Sequence, residues 1–116
     1  LNHANLGPNE WGNHVNLSGA NLSHATLNHA DLTSANLRRA DLTHADLTSA
    51  ILNADLRQAN LTDATLTGAE LCGILEQANF TRADMTNANV ESTILDGAIF
   101  TDVIGFPDLY GKPRGT

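Results

Sequence analysis

Several residue types are scarce in this 116-residue sequence, and each scarcity excludes a class of protein. The single cysteine, Cys72, excludes an internal disulfide and every metal site that needs several cysteines. Aromatic residues make up 4% of the chain, so the core must be built from smaller side chains and is expected to be thin. No run of 18 apolar residues occurs, and we therefore predict no membrane segment within these residues.

Basic residues are also few. The chain has 6 Lys and Arg against 13 Asp and Glu, which gives a formal net charge of −7. A surface that binds phosphates needs clustered Lys and Arg, so the composition argues against direct nucleic-acid binding. The sequence starts at Leu1 without Met, which favours a mature product or a fragment of something longer. The compartment stays open: a soluble segment that is cytoplasmic, or one tethered to a membrane through sequence outside these residues.

The dominant feature of the sequence is a repeat of five residues. Units such as Ala20-Asn21-Leu22, Ala40-Asp41-Leu42 and Ala45-Asp46-Leu47 are each followed by two polar or small residues. A period of five fits neither the 3.6 of a helix nor the 2 of a strand, so it indicates a solenoid. The large apolar residue of each unit, here called its centre, is expected to point inward together with the Ala two positions before it. On one side of the solenoid the predicted inward centres are Leu22, Leu42, Leu61, Phe80 and Phe100.

This motif, Ala-(Asp/Asn)-Leu followed by two variable residues, resembles that of the pentapeptide-repeat family over nearly all of Leu1 to Thr101. The resemblance implies an all-β fold, a right-handed quadrilateral parallel β-helix with about five coils of four pentapeptide sides. Coils of this kind stack about 4.8 Å apart, the spacing of hydrogen-bonded strands. We expect residues 1–105 to form the β-helix and residues 106–116 to form a C-terminal cap or tail.

Three irregular steps test the count of four sides per coil. The step from Trp11 to Leu17 has six residues, and the steps from Leu52 to Leu56 and from Leu71 to Leu75 have four. With four units per coil, all three steps fall at the same corner. The two four-residue steps therefore predict a seam of altered turns in adjacent coils.

Stacking of the coils places residues one coil apart in columns. One predicted column holds hydroxyl side chains beside a column of amides and carboxylates, and we interpret this ladder as structural rather than as a surface that binds ice or a crystal. Its hydroxyl residues are Ser23, Thr43, Thr62, Thr81 and Thr101. Another column places Arg38 and Arg57 above Glu76 and Asp96, and we interpret it as a solvated row of charges.

Two histidines raise the question of a metal site. His24 and His44 are predicted to stack one coil apart with Asp63 below them, and imidazole and carboxylate are common metal ligands. We favour a polar stack at an exposed turn, with the metal site as the weaker alternative. Cys72 has no His in a matching column, and a filled β-helix offers no cleft for a catalytic group. We therefore predict no enzyme activity and no cofactor.

The residue before each centre is expected to face outward and is usually polar, but this rule fails toward the C-terminus. Isoleucine occupies that position there, and with the aromatic residue that follows it forms a predicted interaction patch: Ile74, Ile94, Ile99, Ile104 and Phe106. Exposed apolar clusters are usually covered. We expect the tail after Gly105 to fold over the patch, with a second chain as the alternative, so the protein is a monomer or a homodimer through its C-terminal end.

Two functions follow from the resemblance and the surface. We favour a structural or protein-interaction module, a rigid rod that presents polar faces to an unidentified protein partner. A domain cut from a larger, membrane-associated protein is one form that such a module takes. The alternative comes from family members that are acidic mimics of DNA and bind DNA gyrase. The carboxylates here are spread over all four predicted sides, whereas duplex DNA presents one charge per about 1.7 Å, so we rank the mimic second.

Overall fold

The computed structural model describes residues 14–91 and 93–105, and these wind into a four-sided coil. One residue in every repeat forms an isolated parallel bridge to a residue 19 or 20 positions later, as in Asn16 to Asn36 and Asn36 to Asp55. From one bridged residue the chain passes three others and reaches its partner as the fourth, so each coil has four sides. In this part of the chain the regular structure consists of these bridges and of two-residue turns, without helices or longer strands.

The bridged residues form four columns along the axis, and each column with the turn residues that follow it is called a face. Face A has the bridged residues Asn16, Asn36, Asp55, Ile74 and Ile94. Face B has Asn21, Asp41, Asn60, Asn79 and Ile99, and face C has Thr26, Asp46, Thr65, Asp84 and Ile104. Face D has Asp31, Ile51, Glu70 and Asn89. The predicted total of about five coils over residues 1–105 extends beyond the described residues at the N-terminal end.

Backbone hydrogen bonds join each coil to the next in both directions. The Leu42 amide donates to the Asn60 carbonyl at 2.8 Å, and the Asn60 amide donates back to the Ala40 carbonyl at 3.0 Å. This pair of bonds recurs at successive repeats, so the outward bridged residue is fixed at both ends. The polar backbone is thereby satisfied although each side contributes a single bridged residue.

Apart from the two short corners, each described corner is a tight turn whose second central residue is left-handed. In the repeat centred on Leu42, the Ala45 amide donates to the Leu42 carbonyl at 3.1 Å and His44 has φ of 59°. A positive φ at this position defines a type II turn, for which glycine is the usual residue. Most of these positions here are not glycine, and the left-handed form costs such residues roughly 1–2 kcal/mol each. The conformation lets the amide of the same residue donate along the stack, as His44 does to Thr62 at 3.1 Å.

The core is a column of leucine and alanine side chains that fills the coil. The leucine centres from Leu27 to Leu75 are buried, and so are the alanines that alternate with them. Near the C-terminal end Phe80 and Phe100 occupy the leucine position of face B, and their rings stack with centroids 5.1 Å apart. Of the predicted inward centres on face B, Leu42, Leu61, Phe80 and Phe100 are buried and Leu22 is partly buried.

The two short steps both lie at the corner between face D and face A. Ile51 is followed by Asp55 and Glu70 by Ile74 in the bridge columns, four residues instead of five. At the first short corner the Ala54 amide donates to Leu52 at 2.7 Å, so the turn closes one residue earlier and the left-handed residue is missing. The third irregular step, Trp11 to Leu17, begins outside the described residues.

At the second short corner the coils approach so closely that a glycine is required. A Cβ on Gly73 would lie 2.1 Å from the carbonyl oxygen of Ala54 and 2.6 Å from its nitrogen. Both atoms belong to the backbone and cannot move aside like the end of a flexible side chain. Any side chain larger than hydrogen is therefore excluded at Gly73 unless the backbone shifts.

Across residues 14–91 and 93–105 we find no helix with the length and hydrophobicity needed to cross a bilayer. The predicted cap or tail of residues 106–116 lies outside the described residues, and so does the predicted patch residue Phe106.

Candidate interaction surface

The outward bridged positions are mostly occupied by Asp and Asn that bind their own repeat. The Asp84 Oδ1 accepts hydrogen bonds from the Thr86 amide at 3.1 Å and from the Thr86 hydroxyl at 2.7 Å. The same pair of bonds joins Asn60 to Thr62 and Asp41 to Thr43. An Asx side chain thus satisfies an amide that the turn leaves free, which explains why Asp or Asn precedes so many centres.

This arrangement supplies the hydrogen-bond partners of the predicted hydroxyl ladder. The hydroxyls of Ser23, Thr43 and Thr62 donate to the Asx residue two positions earlier, at 2.6–2.7 Å, not to the hydroxyl in the next coil. The bonds run around the coil, between the hydroxyl column and the neighbouring column of amides and carboxylates. The spacing of Asx and Ser or Thr by two residues was the signal in the sequence.

Isoleucine replaces the Asx residue at the last bridged position of three faces. Ile94, Ile99 and Ile104 are 48%, 42% and 57% exposed, which makes them the large exposed hydrophobic side chains of the described residues. Ile74 is half-buried and forms a bridge with Ile94 on face A. The structure therefore brings four of the five predicted patch residues to the C-terminal coils. Ile51 is half-buried and lies apart from them on face D.

The histidine column is a stack of rings that ends in an ion pair. His24 and His44 are parallel within 3°, with centroids 4.8 Å apart, and the His44 Nε2 is 3.6 Å from the Asp63 Oδ2. Arg82 from the next coil donates to both oxygens of Asp63, at 2.9 and 3.0 Å. The Asp63 carboxylate, which belonged to the weaker alternative of a metal site, is thus bound by a guanidinium. Among the described residues, no three His, Cys, Asp or Glu side chains are arranged to hold a metal ion.

The predicted row of charges lies on face A and borders an open groove. Arg57 donates to both carboxylate oxygens of Asp55, at 2.9 and 2.6 Å, and Arg38 lies 3.9 Å from the same carboxylate. Beside them, Arg39 donates to Gln58 and Gln58 donates to the next glutamine along the column, both at 2.9 Å. The groove has a volume of about 460 Å³ and continues to Glu76 and Asp96. The Arg57 to Asp55 pair was not predicted, although a spacing of two residues could have indicated it.

Cys72 lies at the second short corner. Its amide donates to the Asn53 Oδ1 at 3.0 Å. Burial raises the pKa of the Cys72 thiol above its usual value of 9.0, and nearby Glu70 and Glu91 add to the effect. A raised pKa makes the thiol a poor nucleophile at neutral pH.

Hydrogen bonds to the outward carboxylates make the stability of the coil depend on pH. The Thr43 and Thr86 hydroxyls hold the pKa values of Asp41 and Asp84 below the ordinary 3.8. A depressed folded-state pKa stabilises the fold above the unfolded value, and this stabilisation is lost as the pH falls through the folded value.

We therefore expect the urea midpoint of unfolding to fall as the pH is lowered from about 5 to about 2. A variant with Asp41→Asn and Asp84→Asn keeps the Oδ1 acceptor without the charge, so its midpoint should depend less on pH. The test is a series of urea denaturation curves for both proteins. An identical pH dependence of the two midpoints would contradict a role for these carboxylates.

Comparisons with known proteins agree with this geometry. The family model described as Pentapeptide repeats matches eight copies, over residues 16–53, 52–75 and 73–102. The chain therefore belongs to the pentapeptide-repeat family, as the sequence motif predicted, and its fold is the β-helix of that family. A comparison with curated proteins gives no match.

Solved structures of the family resemble this chain. HetL from the cyanobacterium Nostoc sp. strain PCC 7120, a pentapeptide repeat protein involved in heterocyst differentiation regulation, is 33% identical, with a TM-score of 0.50 and coverage of 84% of this chain and 43% of HetL. AT2G44920, from the thylakoid lumen of Arabidopsis thaliana, is 31% identical with a TM-score of 0.50, over 77% of this chain and 63% of that one.

A more distant similarity is to QnrB1, a plasmid-mediated fluoroquinolone resistance protein, at 21% identity. It covers 85% of this chain and 51% of QnrB1 with a TM-score of 0.45, and we draw nothing about function from it. The chain thus spans less than two thirds of the length of each of these three proteins.

Proposed function

We propose that this chain is a non-enzymatic interaction module, a rod that docks a protein partner on the isoleucine patch of its last coils. The observation that carries the proposal is the exposure of Ile94, Ile99 and Ile104 at positions where other repeats have Asx residues. Each of these isoleucines leaves apolar surface in water, which costs about 25 cal/mol per Å². The three side chains lie on faces A, B and C, so a partner that encloses the end of the rod on these sides would recover this free energy.

The substitutions also remove a local hydrogen bond. An Asx residue would accept from the amide two positions later, as Asn79 does from Thr81 at 3.0 Å, and isoleucine has no acceptor. Neither packing nor turn chemistry within the coil therefore favours isoleucine at these positions. A role in contact with another surface accounts for it better.

The filled core supports the non-enzymatic part of the proposal. No polar or charged residue is buried within residues 14–91 and 93–105, and the leucine and alanine column occupies the interior. The groove on face A is an open depression on the outside of this column. Such a surface suits recognition of a partner better than the exclusion of water that catalysis usually requires.

The alternative, a mimic of DNA that binds gyrase, has weaker support. In the four bridge columns, no two successive coils both carry a carboxylate. Thr65 separates Asp46 from Asp84 on face C, and Ile51 separates Asp31 from Glu70 on face D. Arginines on faces A and B interrupt the negative surface further. The described carboxylates thus do not form the continuous stripe that a DNA backbone presents.

The test replaces two isoleucines by the residue that the repeat normally has. The variant with Ile94→Asn and Ile99→Asn should melt at the same or a higher temperature, because each Asn gains an acceptor for the turn amide. It should lose the partner that the parent chain retains when each is immobilised and exposed to an extract of the source cells. A variant with Ile51→Asn, on the opposite side of the seam, should retain that partner.

The design separates docking from folding. If the Ile94 and Ile99 variant retains the same proteins as the parent, the patch is not the docking surface and the proposal fails. A further variant that ends at Gly105 tests our expectation that residues 106–116 cover the patch. Stronger partner binding by that variant would favour the tail as a competing cover, and weaker binding would make the tail part of the docking surface.

A further inference from the structure

Face A differs from the other faces in charge. It carries three arginines, Arg38, Arg39 and Arg57, and three carboxylates, Asp55, Glu76 and Asp96, so its formal charge cancels. The described residues of the other three faces carry eight carboxylates and one arginine, Arg82. Two copies of this chain would therefore repel each other through faces B, C and D, whereas face A imposes no net repulsion.

The order of the charges along face A is also informative. The first turn residue of successive coils is Arg38, Arg57, Glu76 and Asp96, which lie about 4.8 Å apart along the axis. Two positive positions are thus followed by two negative ones. All four side chains border the same groove.

A column of this order is complementary to its own inverted copy. When two rods meet face to face in antiparallel orientation, a two-fold axis between the coils of Arg57 and Glu76 sets Arg38 against Asp96 of the second copy. The same axis sets Arg57 against Glu76, and the two reciprocal pairs follow from symmetry. A parallel arrangement would instead oppose like charges in every coil.

The intramolecular contacts leave these groups able to pair. Arg38 is 50% exposed in its side chain and is 3.9 Å from its nearest carboxylate, a loose contact. None of the side-chain hydrogen bonds of residues 14–91 and 93–105 engages Glu76 or Asp96. Arg57 is held by Asp55, which fixes its direction while leaving further guanidinium donors for a second carboxylate.

We propose that two copies of this chain associate side by side and antiparallel through face A, by pairing Arg38 with Asp96 and Arg57 with Glu76. The ion pairs use other residues than the isoleucine patch, but Ile74 and Ile94 of that patch lie on face A as well. The charge-reversal variants keep every isoleucine, so the two proposals are tested separately. Exposed ion pairs contribute little each, so the association is weak. High salt screens these pairs, and at very low salt the net negative charge of the two copies opposes their association. A face that carries both signs of charge with no net charge also fits a second copy better than a uniformly charged ligand such as nucleic acid.

Charge reversal tests the proposal by sedimentation at high protein concentration. The acidic variant carries Arg38→Glu and Arg57→Glu, and the basic variant carries Glu76→Arg and Asp96→Arg. The parent chain should rise above its monomer mass at about 0.1 M salt, where charges more than about 10 Å apart are screened but pairs in contact are not, and return to the monomer mass at about 1 M. Each variant alone should stay monomeric, because its column then has one sign. An equimolar mixture of the two should again rise above the monomer mass.

The controls exclude effects of folding and of net charge. Glu70→Lys with Glu91→Lys changes the net charge as much as the basic variant does but alters face D, and it should dimerise like the parent or better. The basic variant breaks none of the described side-chain hydrogen bonds, and circular dichroism will show whether the acidic one is folded. A parent chain that is monomeric at every salt concentration would overturn the proposal. So would a dimer that both variants retain, and loss of such a dimer in the Ile99→Asn variant would assign it to the isoleucine patch.

Discussion

Replacing Leu61 by Asp should unfold the described coil rather than perturb one repeat. Leu61 is fully buried between Leu42 and Phe80, the centres above and below it on face B. A carboxylate at this position would lose its hydration inside a column that offers it no polar side chain, a cost of several kcal/mol. Because folded domains are stable by only about 5–15 kcal/mol, one such residue removes much or all of that margin. Circular dichroism and thermal melting would measure the loss.

The neighbouring residue provides the matched control. Asn60 faces outward and accepts from the Thr62 amide and hydroxyl through its Oδ1. Asn60→Asp keeps both bonds and introduces the same carboxylate one residue away, so it should leave the melting temperature within a few degrees of the parent. If Leu61→Asp melts like Asn60→Asp, the assignment of Leu61 as a core residue is wrong.

Replacing Gly73 by Ala should be the second severe change, although it adds a single methyl group. The new Cβ would lie 2.1 Å from the Ala54 carbonyl oxygen, a backbone atom that is held by a hydrogen bond between the coils. The Ile74 amide donates to that same carbonyl at 3.1 Å, so relief of the overlap would weaken the bridge of Asp55 with Ile74. Overpacking typically costs about 1–3 kcal/mol, and a clash with backbone belongs at the upper end of that range.

A second glycine distinguishes this steric effect from a conformational one. Gly19 has φ of 68°, and a Cβ on it would meet nothing within 4 Å, so Gly19→Ala should cost only the left-handed strain of about 1 kcal/mol. Thermal melting of the two variants under the same conditions gives the comparison. An equal loss for Gly19→Ala and Gly73→Ala would show that the close approach at the seam does not matter.

The sequence predicted the path of the backbone because the core pattern is unambiguous. A large centre and an alanine recur with a period that helices and simple strands cannot use, and the two four-residue steps placed the seam between Leu52 and Leu75. The requirement at Gly73 was less visible. The short corners at Ala54 and Gly73 have the same length in the sequence. Only the distance of 2.1 Å from a Cβ on Gly73 to the Ala54 carbonyl oxygen shows why the second corner excludes a methyl group.

Side-chain partners on the surface were predicted less well than the columns that hold them. The pattern placed His24, His44 and Asp63 in one column, and the structure has them there. The column continues to Arg82, and a long arginine reaches back over one coil to bind Asp63. The choice between a metal ligand and an ion pair depends on side-chain rotamers, which the period of the repeat does not determine.

The bridge spacing has a consequence for how this chain folds. Every bridge among the described residues joins positions 19 or 20 apart, so each new coil closes a loop of nearly the same length. The entropic cost of loop closure depends on that length, so it is nearly the same for every added coil. The first coil has no neighbouring coil whose hydrogen bonds and packing could offset this cost. Nucleation is the slow event and growth from a formed pair of coils is the fast one. Opening should accordingly begin at the two ends and advance one coil at a time, with the coils around Leu61 the last to exchange their amide hydrogens.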